Sequence, residues 1–153
     1  MIPRAQISLT TDEAAAFLAG TRTLTCATIG RDGWPHLMPL WYVIRDGELW
    51  SWTYAKSQKV RNLERDARCT LQVETGESYD QLRGVMLKAE CAVHRDLETV
   101  AALGGEIAER YGGAELDDAA REAIRRQAAK RVGLQFQARE VATWDHRKLA
   151  GGY

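Results

Sequence analysis

The sequence predicts a mainly β fold with flanking helices, built from six or so mostly antiparallel strands that close into a small barrel. Three observations carry that expectation. Stretches rich in β-branched and aromatic residues follow one another between residues 21 and 94, divided by tight-turn signals such as Gly30-Arg31-Asp32-Gly33 and Asp46-Gly47. Near the end, Val132, Leu134, Phe136 and Ala138 alternate with Gly133, Gln135 and Gln137, the pattern of a half-buried strand. Consecutive strands joined by tight turns pair antiparallel, and several of them in one small domain escape exposed edges by closing on themselves.

The elements follow in order. Thr10 is placed to cap a helix, and Glu13 completes a capping box; Gly20 can end that helix. Thr21 to Ile29 reads as the first strand. Trp34 to Arg45 reads as the second, and Pro35 and Pro39 make it an edge or bulged strand because each removes a ladder donor. Glu48 to Tyr54 is the third, with Trp50, Trp52 and Tyr54 on one face and Leu49, Ser51 and Thr53 on the other. Ser57 to Arg65 is a short helix with Val60 and Leu63 as its apolar stripe. Arg68 to Glu74 and Leu82 to His94 are the fourth and fifth strands, with Gly84 marking a bulge or a close approach. Asp96 to Tyr111 and Asp117 to Lys130 are helices separated by Gly112-Gly113. Gly104-Gly105 weakens the first of these, since a mid-helix glycine costs ~1 kcal/mol relative to alanine. The last strand runs to about Thr143 and a polar tail follows. Neither a repeat nor a linker interrupts residues 1–153, so a single domain is expected.

Composition removes several classes of function. Twenty-one basic residues balance twenty-one acidic ones, so no global field draws the chain to nucleic acid or membrane. No segment approaches the roughly 20 apolar residues of a membrane span, and the cytoplasm is expected. Cys26, Cys69 and Cys91 are odd in number and widely spaced, which reads as buried reduced thiols. His36, His94 and His146 do not stand at metal-ligand spacings, so no metal site is expected. There is no Gly-x-Ser-x-Gly elbow and no Walker loop, and the glycine pairs do not follow a strand. With no protein-borne nucleophile in view, the hard chemistry of any enzyme here falls to a bound cofactor.

Two features point to such a cofactor. Tyr54 to Arg65 carries Lys56, Lys59, Arg61 and Arg65 on a strand-to-helix turn of a chain without net charge. Ser57 lies at the expected helix start, where free N–H groups and the helix dipole favour an anion, and Gln58 adds an amide. These groups suit a phosphate; a solvated basic helix face accounts for the charges equally well. The second feature is aromatic. Trp34, Trp41, Tyr42, Trp50, Trp52 and Tyr54 crowd neighbouring strands, and most belong to a core, yet five tryptophans are many for one core of this size. Flat apolar surface beside a phosphate grip suits a ring-bearing ligand, and the strand weakened by Pro39 leaves backbone groups free for a ring edge.

These pieces resemble the pyridoxamine-phosphate-oxidase-like split β-barrels, and within them the flavin/deazaflavin oxidoreductases that use coenzyme F420. The matching residues are Ala27-Thr28-Ile29 with Asp32-Gly33 and Pro35-His36, then Pro39-Leu40-Trp41-Tyr42, then Tyr54 to Leu63 followed by Arg65-Asp66. Leu82-Arg83-Gly84-Val85 and Trp144 to Leu149 complete the match, and Lys59-x-x-Asn62-Leu63, with Arg65-Asp66 just after it, is its most specific part. Ala67 departs from the pattern, where a proline often follows the aspartate.

The resemblance implies a homodimer with the cofactor at the subunit interface. It implies that Lys59 holds the phosphate with Ser57, Lys56 and Arg61 assisting, that Gln58, Val60 and Asn62 belong to the same grip, and that Pro39, Leu40, Trp41, Trp52 and Thr53 line the tricyclic ring. Tyr79, Gln81 and Arg83 would approach from the partner chain, and Trp144 and His146 would either cover the site or close the dimer. The implied activity is hydride transfer from reduced F420 to a small electron-poor substrate, with Tyr42, Tyr54 or a water giving the proton. An FMN-binding oxidoreductase of the same fold, and a non-catalytic flavin, deazaflavin or tetrapyrrole carrier, are the alternatives. F420 differs from FMN by a carboxylate-bearing tail beyond its phosphate, for which Lys56, Arg61, Arg65 and Arg68 could form a cationic groove.

Overall fold

The computed structural model describes residues 3–149 of the chain. Its helices are α1 (Arg4–Ile7), α2 (Thr11–Gly20), α3 (Gln58–Arg65), α4 (Leu97–Gly112) and α5 (Asp118–Ala128). Its strands are β1 (Leu24–Ile29), β2 (Pro35–Leu40), β3 (Val43–Arg45), β4 (Glu48–Tyr54), β5 (Arg68–Thr75), β6 (Arg83–His94) and β7 (Arg131–Asp145). Short 3₁₀ turns cover Tyr79–Gln81 and His146–Lys148. The strands form one antiparallel sheet in the order β2-β1-β5-β6-β7-β4-β3.

Among the described residues there are seven strands rather than six because the segment expected as one strand from Trp34 to Arg45 breaks at Trp41-Tyr42. The backbone groups freed at that corner are bonded from elsewhere, as buried peptide groups must be. Ser51 Oγ donates to the Trp41 carbonyl at 2.6 Å and the Tyr42 N–H donates to Tyr111 Oη at 2.9 Å. The Tyr42 carbonyl accepts from Arg110, whose guanidinium also donates to the Leu18 and Thr21 carbonyls at the end of α2. The chain then crosses to the far side of the sheet, so β4 pairs with β7 and the strands are not a simple meander. Only Trp41 and Tyr42 separate the two edge strands, which therefore stand within roughly 11 Å of each other at that end. The sheet curls until its edges approach at that corner with no ladder between them, which makes the barrel a split one.

The inward side chains fill that curl. Leu24, Leu71, Val85, Leu134 and Phe136 pack with Val60 and Leu63 of α3 and Phe17 of α2. A smaller core of Val43, Leu103 and Ile107 lies beneath α4, against Trp50 and Trp52. The expected two faces of β4 are both present: Leu49, Ser51 and Thr53 are buried inside, while Trp50 and Trp52 are half-buried outside. At Asp46 and Gly47 both φ angles are positive, 50° and 78°, as the tight hairpin between β3 and β4 requires. The capping box of α2 forms, with the Glu13 N–H donating to Thr10 Oγ1 at 3.1 Å and the Thr10 N–H to Glu13 Oε2 at 2.8 Å.

Of the two roles expected for Gly84 the structure shows the close approach and not the bulge, while Gly104 differs from its reading as a weak point of its helix. The register shift in β6 lies between Lys88 and Ala89, not at Gly84. Gly84 is instead a close approach, where a Cβ would strike the Trp144 ring and the Val73 carbonyl. Gly104 is a packing residue: a Cβ there would overlap the ring of Trp52, with Ile124 close behind.

Cys26, Cys69 and Cys91 are buried and unpaired. A hydrogen bond with Cys26 and burial push the Cys69 thiol up, and burial pushes up that of Cys91, so neither carries the thiolate that reactivity needs. Among the described residues, no helix is long and apolar enough to cross a membrane.

Candidate functional site

The site follows from the short reach of β3. It covers β4 only from Glu48 to Trp50. Beyond that point the edge of β4 turned away from β7 has no strand beside it, and the outer edge of β2 is equally unpaired. Between these free edges lies a cleft of about 490 Å³. Six of the residues expected to bind a cofactor line it together: Pro39, Leu40 and Trp41 from β2 and the corner, Trp52 and Thr53 from β4, and Lys59 from α3.

Lys59 sits in the first turn of α3 with its side chain turned inward, leaving only 8 % of the residue exposed. Its Nζ donates to Thr53 Oγ1 at 2.9 Å, a hydroxyl rather than a carboxylate. Burial lowers its pKa from the ordinary lysine value, partly opposed by the Cys26 thiol. A buried cation whose sole acceptor among the described residues is neutral is poised for an anion, so the reading of a solvated basic face does not apply to it. Ser57 is the residue just before α3, and its Oγ is buried without a partner among the described residues.

The other candidates stand apart from the cleft lining. Lys56 and Arg61 are exposed. Val60 is a fully buried core residue. Gln58 Nε2 donates to Asn62 Oδ1 at 2.8 Å within α3, and Asn62 Nδ2 donates to Thr28 Oγ1 of β1 at 3.0 Å, so Asn62 fastens α3 to the barrel and Gln58 holds Asn62 in place. They fix the helix that presents Lys59.

Aromatic rings form the walls. Trp41 is 54 % exposed yet held flat, because Tyr111 of α4 stacks on it with ring centroids 4.3 Å apart and planes 6° from parallel. Of the two tyrosines considered as proton donors, Tyr54 lines the cleft. Tyr42 is fully buried, and its hydroxyl is engaged by the Leu18 carbonyl at 2.6 Å and Thr21 Oγ1 at 2.7 Å. Sequence reasoning missed Arg131, which enters the cleft from the start of β7 opposite Tyr54. It also missed Tyr111 and Arg110, which hold the corner. No local signal marks these residues, because each arrives through long-range pairing.

Tyr79, Gln81, Arg83, Trp144 and His146 lie outside the lining of this cleft. His146 Nδ1 sits 2.9 Å from the Tyr79 carbonyl, and Lys148 Nζ donates to Glu13 at 2.6 Å, so within one chain the tail docks on the 3₁₀ turn and α2. A second hollow, about 500 Å³, lies over β1, β5 and β6. Its charged rim is internally neutralised: Arg68 pairs with Asp66, Lys88 with Glu140 and Arg139 with Glu90. The cleft at Lys59 has no such compensation among the described residues.

The Lys59 shift has a measurable sign. Its pKa is lower in the folded chain than unfolded, so folding carries a penalty while both states are charged. That penalty is relieved as pH rises from the folded pKa toward the unfolded value. Wild type should therefore gain stability relative to Lys59→Met as pH rises through this window, and urea titrations of both proteins across alkaline pH would measure it. A constant difference would mean that Lys59 titrates normally.

A flat slot with a desolvated cation at one end can hold a planar ring and its phosphate. Comparison with known proteins agrees in fold. A conserved hypothetical protein from Mycobacterium tuberculosis is 40% identical over 100% of this chain and 95% of its own, with a TM-score of 0.91. An F420 reductase is 18% identical, with a TM-score of 0.67 over 87% of this chain and 98% of its own. A FAD-binding protein from Mesorhizobium loti is 17% identical, with a TM-score of 0.68 over 89% and 94%. No curated protein matches. The model of the pyridoxamine 5'-phosphate oxidase family matches residues 10–145, a span that takes in every strand, the split between β2 and β4, and Lys59; the chain belongs to that family.

Proposed function

We propose that the protein is an F420-dependent oxidoreductase, which transfers a hydride from the reduced deazaflavin to a small electron-poor organic substrate. The observation that carries this reading is Lys59, a buried cation with no anionic partner among the described residues, in the lining of an aromatic cleft. Ser57, at the start of the same helix, has an Oγ buried with no partner among the described residues, which supports a phosphate near that helix start. The F420 reductase of like fold supports the choice of deazaflavin.

A bound F420 supplies the hydride, and the chain's own residues supply the rest. Lys59 and Ser57 grip the phosphate, and the free edge at Pro39 to Trp41 offers backbone groups to the ring edge. Trp41 and Trp52 cover the ring and exclude water. Tyr54, in the lining, delivers a proton to the reduced substrate directly or through a water. The functional unit is a homodimer, in which a second copy closes the open side of the cleft. The exposed Leu37, Met38 and Trp41 beside it are apolar surface suited to such a contact. An FMN-dependent oxidoreductase is the second reading, favoured by the FAD-binding protein of like fold.

Titration of the purified protein with F420 and with FMN, followed by fluorescence polarisation, separates the two. Tight F420 binding and turnover with an enone or imine acceptor are expected. Tight FMN binding with none for F420 would sink the deazaflavin reading. Binding without any turnover would leave a carrier.

A further inference from the structure

We infer that Arg131 is a second anion contact in the cleft, which selects a carboxylate on the molecule that enters. The inference rests on the proposed reading only in taking this cleft as the place where ligands bind. Arg131 begins β7, and the register sets it opposite Tyr54. Its guanidinium packs on two aromatic rings, with Cζ 4.5 Å from the centroid of Trp52 and 4.2 Å from that of Tyr54. It lines the same cleft as Lys59.

What distinguishes Arg131 is the lack of an acceptor. Among the described residues its Nε is buried with no partner, and no carboxylate or carbonyl takes its other N–H groups. Other arginines stacked on rings in this protein are satisfied. Arg45 packs on Trp50 at 4.9 Å and pairs with Glu106. Arg110 packs on Tyr42 at 4.4 Å and is taken up by the backbone carbonyls of Leu18, Thr21 and Tyr42. Stacking alone thus does not leave a guanidinium without acceptors here. An orphaned buried donor is a standing cost, and such a group is retained where a ligand relieves it.

The chemistry of the missing partner follows from the shape of the group. The rings cover the guanidinium, so what remains is its planar array of N–H donors. That array matches a carboxylate in two parallel hydrogen bonds. Lys59 meets Thr53, on the inner face of β4, whereas Arg131 meets Trp52 and Tyr54 on the outer face. The two cations thus approach the cleft from opposite sides of one strand, and the carboxylate at Arg131 is separate from the phosphate at Lys59. It comes either from the acidic tail of the cofactor or from the substrate.

The test compares wild type with Arg131→Met, which keeps apolar packing on the rings, and Arg131→Lys, which keeps charge but loses the fork. Each is titrated with FMN, with F420, and with benzoate against benzamide in both the free and the cofactor-loaded protein. The readouts are tryptophan fluorescence and the Arg Nε–H resonances. Loss of about tenfold or more in F420 affinity in Arg131→Met, with FMN affinity unchanged, assigns the carboxylate to the cofactor tail. Unchanged affinity for both cofactors, with benzoate binding lost in the variant and benzamide never bound, assigns it to the substrate. Arg131→Lys should fall between the two in either case. Equal affinities of wild type and Arg131→Met for all four compounds would overturn the inference and leave Arg131 as packing. If wild type binds benzoate through Arg131 but neither cofactor, the proposed function fails and this inference stands.

Discussion

Lys59→Met is expected to weaken binding of a phosphate-bearing cofactor by about 1.5–3 kcal/mol, the worth of a charge-assisted hydrogen bond, or roughly 10- to 150-fold in affinity. The same substitution should leave the fold intact or firmer. Among the described residues Lys59 is buried with a single hydroxyl acceptor, so methionine removes a desolvated charge while keeping most of the packed chain. Affinity loss without stability loss is the pattern of a ligand contact. Isothermal calorimetry with FMN and F420, read beside thermal melts, gives both numbers. A parallel fall in both would mark Lys59 as a structural residue.

Gly104→Ala carries the second large effect, and its sign divides two accounts. Helix propensity alone makes the change stabilising by ~1 kcal/mol, because Gly104 lies inside α4. Packing predicts the reverse. A Cβ at Gly104 overlaps the Trp52 ring, which is itself held between α4 and the cleft. Overpacking of this kind costs roughly 1–3 kcal/mol, enough to cancel the propensity gain. The expected result is a net loss of stability with a displaced Trp52, visible as a changed tryptophan emission and weaker cofactor binding. A melting temperature above wild type with unchanged emission would show that α4 shifts freely over β4.

How much of this was legible in the sequence depended on distance along the chain. Thr10 with Glu13, the Asp46-Gly47 turn, the alternation of Glu48 to Tyr54 and the start of α3 are local patterns, and each is found where local chemistry places it. The placement of Ser57 and Lys59 at the start of that helix was legible for the same reason. The break at Trp41-Tyr42 was not, because Ser51, Arg110 and Tyr111 satisfy its backbone from other elements. Nor was the docking of β4 on β7, which brings Arg131 to Tyr54. The basic residues near α3 also looked alike in sequence. Burial separates them: Lys59 is enclosed, while Lys56 and Arg61 face solvent. Gln58 and Asn62 share the segment with Lys59 but are bonded to each other and to Thr28.

The central claim is that a phosphate meets Lys59 in the cleft between the free edges of β2 and β4. Its most direct test is the side-chain resonance of Lys59, assigned by comparison with Lys59→Met and followed through alkaline pH with and without cofactor. In the free protein it should titrate below the ordinary lysine range, as burial requires. On binding F420 or FMN the signal should shift and its pKa should rise, because an anion beside it favours the charged form. A Lys59 resonance that neither moves nor changes its titration while the cofactor is bound would contradict the account and put the phosphate elsewhere.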